Sequence, residues 1–259
     1  MYDDFETQTS YKYLQTVVKA LPEPIAMLGG WAVYFQVNDR FREAQGRDYL
    51  GSRDIDLGFH IDPEWGPEEL RNSALGQSLA ILENTLGFKS VMFRLVKEIH
   101  CDTGKELEPG EQVFPHQRFQ MSVDPIIDFA PKNFREIFRF QPMVVPLLAF
   151  AFKNQKYRDL VEGFDKKLLL PKSELLVATK LLSIGARDKR DKKVKDICDI
   201  FSLLWYGGDM PARIKLKVRQ FLPDETIKKG FASITTEDLN NAAIPLHHDV
   251  EEIRKVLSF

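Results

Sequence analysis

The sequence predicts a mixed α/β (α+β) fold, in which a core built on a mixed β-sheet is followed by an α-helical C-terminal half. Short apolar or alternating stretches recur through residues 25–145 and are typical of strands. From residue 146 onward, apolar residues recur mainly at helical spacing, as in residues 173–186 and 194–206. We therefore expect two domains, residues 1–145 and residues 146–259.

The composition is that of an ordinary globular protein, and the charge and apolar pattern argue against a nucleic-acid binder and a membrane protein. The 259 residues are 44% hydrophobic and 29% charged, and the formal net charge of −2 gives no overall electrostatic case for a nucleic-acid binder. Cys101 and Cys198 are too far apart to form a metal-ligand motif, and we interpret both as reduced thiols. The acidic N-terminus does not resemble a secretory signal, and no apolar run is long enough to span a bilayer. We expect a cytoplasmic protein without a membrane partner.

The individual elements are predicted from local patterns. Residues 25–30, IAMLGG, end in two glycines and precede an apolar segment, which predicts a strand, a tight turn and a helix. The remaining predictions before residue 146 are helices over 8–20 and 66–86, strands over 49–62, 88–101 and 117–131, and a short edge strand within 138–146.

Asp54 and Asp56 lie on either side of Ile55 in a predicted strand. Successive strand residues point to opposite faces, so the two carboxylates share one face and repel each other. An exposed strand end would tolerate this, but a bound cation would also explain it. Mg²⁺ is usually held by one or two carboxylates together with substrate phosphates. Gly29 and Gly30, at the start of a helix, would let a phosphate approach backbone amides. The pattern therefore favours a Mg²⁺ site for a nucleoside triphosphate.

A third carboxylate is expected on the strand predicted over 117–131, and two residues compete for the role. Pro125 cannot donate a ladder hydrogen bond and disfavours a regular strand position beside Asp124. Alternation in IIDF places Asp128 opposite its apolar neighbours. We therefore favour Asp128 as metal ligand and as base for an acceptor hydroxyl, with Asp124 as the alternative.

Three segments, LGGWAVYF (28–35), SRDIDLGF (52–59) and IIDFAP (126–131), together resemble the nucleotidyltransferase superfamily with the DNA polymerase β-type fold. Within it, the sequence is most similar to AbiEii-type toxins and related minimal nucleotidyltransferases. The resemblance implies two Mg²⁺ ions, with the catalytic and metal-binding carboxylates being Asp54, Asp56 and Asp128. It also implies that the triphosphate is held by Gly29, Gly30 and Ser52.

The resemblance extends to the helical segment 168–204, with a lysine, a downstream arginine and a Lys-Asp-x-x-Asp pattern. It implies that Lys180, Arg187 and Asp199 bind the nucleotide, with Lys195 and Asp196 beside them. A solvated helix face is the alternative interpretation of these charges.

The predicted function is Mg²⁺-dependent transfer of a nucleoside monophosphate from an NTP to an acceptor hydroxyl, with release of pyrophosphate. A tRNA or other RNA, a protein and a small molecule all remain open as acceptors, and an AbiEii-like toxin would have an antitoxin partner. Two alternatives remain. One is a nucleotide-binding regulatory module without transfer activity, which the charged insert at 38–48 would suit. The other is an antibiotic-modifying transferase.

Overall fold

The computed structural model describes residues 3–108 and 110–259. These residues fall into two compact units, which we call the sheet unit (residues 3–31, 51–108 and 110–170) and the helical unit (residues 32–50 and 171–259). The predicted division into residues 1–145 and residues 146–259 stays a prediction.

The described residues form eight strands and twelve α-helices. The strands are β1 (Ile25–Met27), β2 (Asp54–Phe59), β3 (Lys89–Val91), β4 (Arg94–His100), β5 (Arg118–Ile127), β6 (Met143–Val144), β7 (Arg158–Leu160) and β8 (Leu168–Pro171). The helices are α1 (Asp4–Ala20), α2 (Gly29–Gln45), α3 (Pro67–Asn72), α4 (Ala74–Asn84), α5 (Phe134–Phe138), α6 (Leu148–Lys153), α7 (Ser173–Ile184), α8 (Arg190–Tyr206), α9 (Pro211–Val218), α10 (Asp224–Ala232), α11 (Thr236–Leu246) and α12 (Val250–Leu257).

The sheet is mixed, as the sequence predicts. Its strand order is β3-β4-β5-β2-β1-β8-β7, with β6 paired to β5. The pairs β2·β5, β1·β8 and β5·β6 are parallel, whereas β1·β2, β3·β4 and β4·β5 are antiparallel. The mixed α/β fold class is confirmed.

Strands β2 and β5 lie side by side near the middle of the sheet, and their residues divide by face. Ile55, Leu57 and Val123 are fully buried. Helix α1 contacts both strands and buries its own apolar stripe, Leu14 and Val17 among it. Since the side chains of a strand alternate between faces, the aspartates of β2 and β5 stand on the face opposite to this core.

Two predicted elements are each divided in the structure. The strand expected over 88–101 is the hairpin β3–β4, which turns at Met92 with a positive φ of 59°. The helix expected over 66–86 is broken into α3 and α4, because the Ser73 hydroxyl caps α4 by accepting a hydrogen bond from the Gly76 amide.

The predicted helical half is wrong for part of residues 154–172, whereas α6 (Leu148–Lys153) agrees with it. Strands β7 and β8 occupy part of this stretch, and β8 pairs with β1 in parallel. All four residues of β8 are buried. A strand buried on both faces is a continuous apolar run, so its sequence lacks the alternation that identifies half-exposed strands.

From residue 173 onward the chain is helical, as expected. Helix α8 contacts α7, α9, α11 and α12, and α7 also contacts α10. None of the helices in the described ranges combines the length and the apolar character needed to cross a bilayer.

Candidate active site

The turn between β1 and α2 brings the backbone of Gly29 against Asp56. The Leu28 amide donates a hydrogen bond of 2.9 Å to the Asp56 carbonyl oxygen. Gly29 has a φ of +59°, and a Cβ there would lie only 1.8 Å from Asp56 Oδ2. Position 29 therefore requires glycine for two reasons: its φ is positive, and the carboxylate of Asp56 occupies the space that a side chain would need. Gly30 follows in the first turn of α2.

Three carboxylates lie on neighbouring positions of β2 and β5. The parallel register places Asp56 opposite Asp124 and Asp54 opposite Ser122. The Ser122 hydroxyl donates a hydrogen bond of 3.1 Å to Asp54 Oδ1. Ser52, the other predicted site residue near this strand, is buried two positions before Asp54.

Asp124 is the most deeply buried of the three, at 3% exposure. Arg94, on β4, donates a hydrogen bond of 2.8 Å from Nη2 to Asp124 Oδ2. The other oxygen, Oδ1, is buried and has no hydrogen-bond partner among the described residues. Burial, and then the charge of Asp56, raise the pKa of Asp124 to about 8, although Arg94 acts in the opposite direction. A further cation beside Asp124 would stabilise its buried negative charge.

These oxygens fit Mg²⁺, which prefers carboxylate ligands. In the part of the chain that the structure describes, no three His, Cys, Asp or Glu side chains converge closely enough to enclose a metal by themselves. That is compatible with Mg²⁺, because this ion usually keeps several waters and takes further ligands from substrate phosphates. The arrangement is of the open kind, suited to a metal that arrives with a nucleotide.

The structure places Asp128 apart from this group, so the geometry favours the alternative, Asp124, over the preferred Asp128. It lies four residues beyond Asp124, which corresponds to roughly 13 Å along an extended strand. Its Oδ1 accepts a hydrogen bond of 2.8 Å from the Ile61 amide, and its Oδ2 is hydrogen-bonded to His60 Nδ1.

Pro125 does not disturb Asp124, contrary to the expectation, because of where the proline falls in the sheet. Strand β4 pairs with β5 as far as Val123, and β6 begins to pair at Ile126. Pro125 lies between the two pairings, where that side of β5 has no ladder partner, so its missing N–H leaves Asp124 in a regular strand position.

The predicted nucleotide-binding residues Lys180, Arg187 and Asp199 lie in the helical unit and belong to one network of charges. Lys180 Nζ donates a hydrogen bond of 2.8 Å to Asp196 Oδ1 and lies 2.6 Å from Asp199 Oδ2. Arg187 Nε donates to Asp196 Oδ2 at 2.6 Å. The hydroxyl of Tyr49 donates to Asp199 Oδ1 at 2.7 Å. Lys195 is paired with Asp199 as well.

The positive and negative charges of this network neutralise one another. Burial opposes the charge on Lys180, but Asp196 and Asp199 outweigh it and raise the pKa of the lysine. Burial would likewise raise the pKa of Asp196, but Lys180 and Arg187 lower it. Arg187, with 36% of its side chain exposed, is the more accessible of these two cations. A purely solvated helix face is therefore wrong for Lys180, whose side chain is 11% exposed, and for Asp199, which is buried.

Sequence reasoning missed Ser122 and Arg94. Ser122 belongs to no recognisable motif, and only the register between β2 and β5 places it opposite Asp54. For Arg94 there was a partial signal, because two carboxylates on one strand face call for a positive group, but only the sheet order shows that β4, which Arg94 opens, pairs with the strand of Asp124.

No protein-family model matches the chain, and no curated protein matches it either. Among solved structures, it is similar to the crystal structure of an antigenic nucleotidyltransferase-like protein from Paracoccidioides brasiliensis, at 15% sequence identity and a TM-score of 0.37. The match covers 95% of this chain and 98% of that one. A likeness at this level does not identify an activity, so we infer the function from the residues of the sheet unit.

Proposed function

We propose that the protein is a Mg²⁺-dependent nucleotidyltransferase that moves a nucleoside monophosphate from an NTP to an acceptor hydroxyl and releases pyrophosphate. The observation that supports this most is the group formed by Asp54, Asp56 and Asp124 on two parallel strands, with the backbone of Gly29 against Asp56. Carboxylates for a metal and a glycine turn for phosphates are the two components that such a reaction needs.

Each residue of the sheet unit has a role in this proposal. Asp54, Asp56 and Asp124 would supply metal ligands, and a metal bound there would neutralise charge on the triphosphate. A pair of metals would stabilise both oxygens of an in-line displacement. Two Mg²⁺ ions remain our expectation from the family resemblance. Gly29, Gly30 and Ser52 hold the triphosphate. Asp124 replaces Asp128 as the carboxylate that accepts the proton of the acceptor hydroxyl, because it neighbours Asp56.

The charged residues of the helical unit also have a place in the proposal. Lys180 and Asp199 are engaged with other charges of their own unit, so we assign them the role of fixing Arg187 and the helix that carries it. That Lys180, Arg187 and Asp199 bind the nucleotide stays a prediction from the family resemblance. Following the resemblance to AbiEii-type toxins, an RNA end is the first acceptor to test, and a protein antitoxin is the corresponding partner. Protein hydroxyls and small molecules, antibiotics included, are the other acceptors.

A nucleotide-binding module without transfer activity is a second candidate, and one observation favours it. Arg94, which is paired with Asp124, gives the site a positive charge of its own. A protein that binds nucleotides without catalysis could keep this pair permanently.

The test is incubation with each labelled NTP and Mg²⁺ in the presence of total RNA, total protein or hydroxylated small molecules. Label transfer and pyrophosphate release are measured for wild type, Asp56→Asn and the matched control Asp128→Asn. We expect transfer by wild type and the control and its loss in Asp56→Asn. Nucleotide binding without transfer to any acceptor supports the second candidate. Equal transfer by wild type and Asp56→Asn contradicts the proposal.

A further inference from the structure

We propose that Arg94 is a phosphate-binding residue, which holds Asp124 in the nucleotide-free protein and turns to the triphosphate when a metal-bound nucleotide enters. This inference rests on the proposed function and adds a residue that neither the sequence motifs nor the family resemblance identified. It starts from two buried polar atoms that lie on the two sides of one ion pair.

Those atoms are Arg94 Nε and Asp124 Oδ1. Both are buried, and neither has a hydrogen-bond partner among the described residues. The two side chains meet through a different pair of atoms, Nη2 and Oδ2, at 2.8 Å. Buried polar groups in native proteins are nearly always satisfied, so an unsatisfied donor and an unsatisfied acceptor in one place need an explanation. A cation would satisfy the carboxylate oxygen, and an anion would satisfy the guanidinium N–H. A metal–phosphate complex provides both.

Charge leads to the same conclusion. The guanidinium of Arg94 carries a positive charge of its own. A metal bound to Asp124 would therefore place a second positive charge beside it, and the two cations would repel each other and compete for the charge of one carboxylate. The arginine must then either leave or gain an anion. The triphosphate that accompanies the metal is that anion, and the planar guanidinium is suited to forked hydrogen bonds with phosphate oxygens.

The exposure of Arg94 and its aromatic neighbour suit a change of partner. Its side chain is 22% exposed, against 4% for that of Asp124, so the arginine is the more accessible partner. The guanidinium carbon lies 4.9 Å from the centre of the Phe93 ring. A guanidinium can slide and turn on an aromatic face while it keeps that contact. Arg94 can thus exchange Asp124 for a phosphate without losing Phe93.

The test separates binding of the metal from binding of the nucleotide. Mn²⁺ is titrated alone, and a non-hydrolysable NTP analogue is then titrated at saturating Mn²⁺, for wild type, Arg94→Gln and Arg94→Lys. The control is Arg118→Gln, on β5 of the same sheet, which removes an exposed arginine paired with Glu98 at 3.2 Å. Circular dichroism and thermal melts of all four proteins establish that they are folded.

For Arg94→Gln we expect opposite changes in the two affinities. Mn²⁺ binds more tightly, because its competitor for Asp124 is gone, whereas the nucleotide analogue binds roughly ten- to a hundred-fold more weakly, because a charge-assisted hydrogen bond is lost. Arg94→Lys keeps the charge without the fork, so its Mn²⁺ affinity stays near that of wild type and its nucleotide affinity falls. The variant therefore remains informative if Arg94→Gln does not fold.

Two results would overturn the inference, and they differ in what else they overturn. If wild type binds the analogue and both Arg94 variants bind it as well as Arg118→Gln does, Arg94 has no phosphate contact, and the proposed function still stands. If wild type binds Mn²⁺ but no nucleotide, the proposed function fails and the role of Arg94 fails with it.

Discussion

Replacing Gly29 by alanine tests whether the contact between the glycine turn and Asp56 shapes the site. The change has two separable costs. The first is the positive φ of +59°, which costs a residue with a Cβ about 1–2 kcal/mol. The second is overlap, because the new Cβ would lie 1.8 Å from Asp56 Oδ2 and 2.6 Å from its Cγ. Relieving it requires the carboxylate to move by more than about 1 Å, and overpacking of this kind typically costs about 1–3 kcal/mol more.

A matched control isolates the second cost. Gly104 has a φ of +65°, and a Cβ there would meet nothing within 4 Å. Gly104→Ala should therefore lower the free energy of unfolding by the backbone cost alone. Gly29→Ala should lower it by about 1–3 kcal/mol more, and its Mn²⁺ affinity should fall at least about tenfold, since the carboxylate of Asp56, a proposed metal ligand, is displaced. Urea unfolding and Mn²⁺ titration measure the two quantities. If the two alanine variants lose the same stability and bind Mn²⁺ equally, the close approach of Gly29 to Asp56 is refuted.

Three further predictions concern the charges. The pKa of Asp124 is raised from its usual 3.8 to about 8, so metal-free stability should fall as pH rises through this range. In urea unfolding at pH 5 and pH 8.5, Asp124→Asn should reduce the loss of unfolding free energy between the two pH values by a few kcal/mol, which corresponds roughly to the pKa shift. An unchanged pH dependence would contradict the burial of this charge. In Mn²⁺ titrations, Asp124→Asn should weaken binding about tenfold or more, whereas Asp128→Asn, whose oxygens are occupied by His60 and the backbone, should leave it unchanged. The reverse order would restore Asp128 as the third carboxylate. Lys180→Met should lower the free energy of unfolding by roughly 3–5 kcal/mol, because it leaves two carboxylates of α8 short of a buried counter-charge. Arg190→Ala, which removes a half-exposed cation, should cost less than about 1 kcal/mol in the same assay, and equal losses would show that the Lys180 network is not buried.

Much of the fold could be predicted because its signals are local. The apolar run that ends in Gly29 predicted β1, the turn and α2. Strand β8 could not be recognised in the same way. A four-residue apolar run fits a buried strand and a buried helical turn equally well, and only the pairing with β1 distinguishes them.

The sequence by itself determined that Asp54 and Asp56 share one strand face, because side chains alternate along any extended strand. It also determined that a glycine turn precedes a helix upstream of them. Only the tertiary structure decided which residues complete the site. The register between β2 and β5 brings Asp124 and Ser122 to the aspartates and leaves Asp128 to His60, and the pairing of β4 adds Arg94. The physical reason is that strand alternation is a property of neighbouring residues, whereas register is fixed by hydrogen bonds and packing between segments that are distant in the chain.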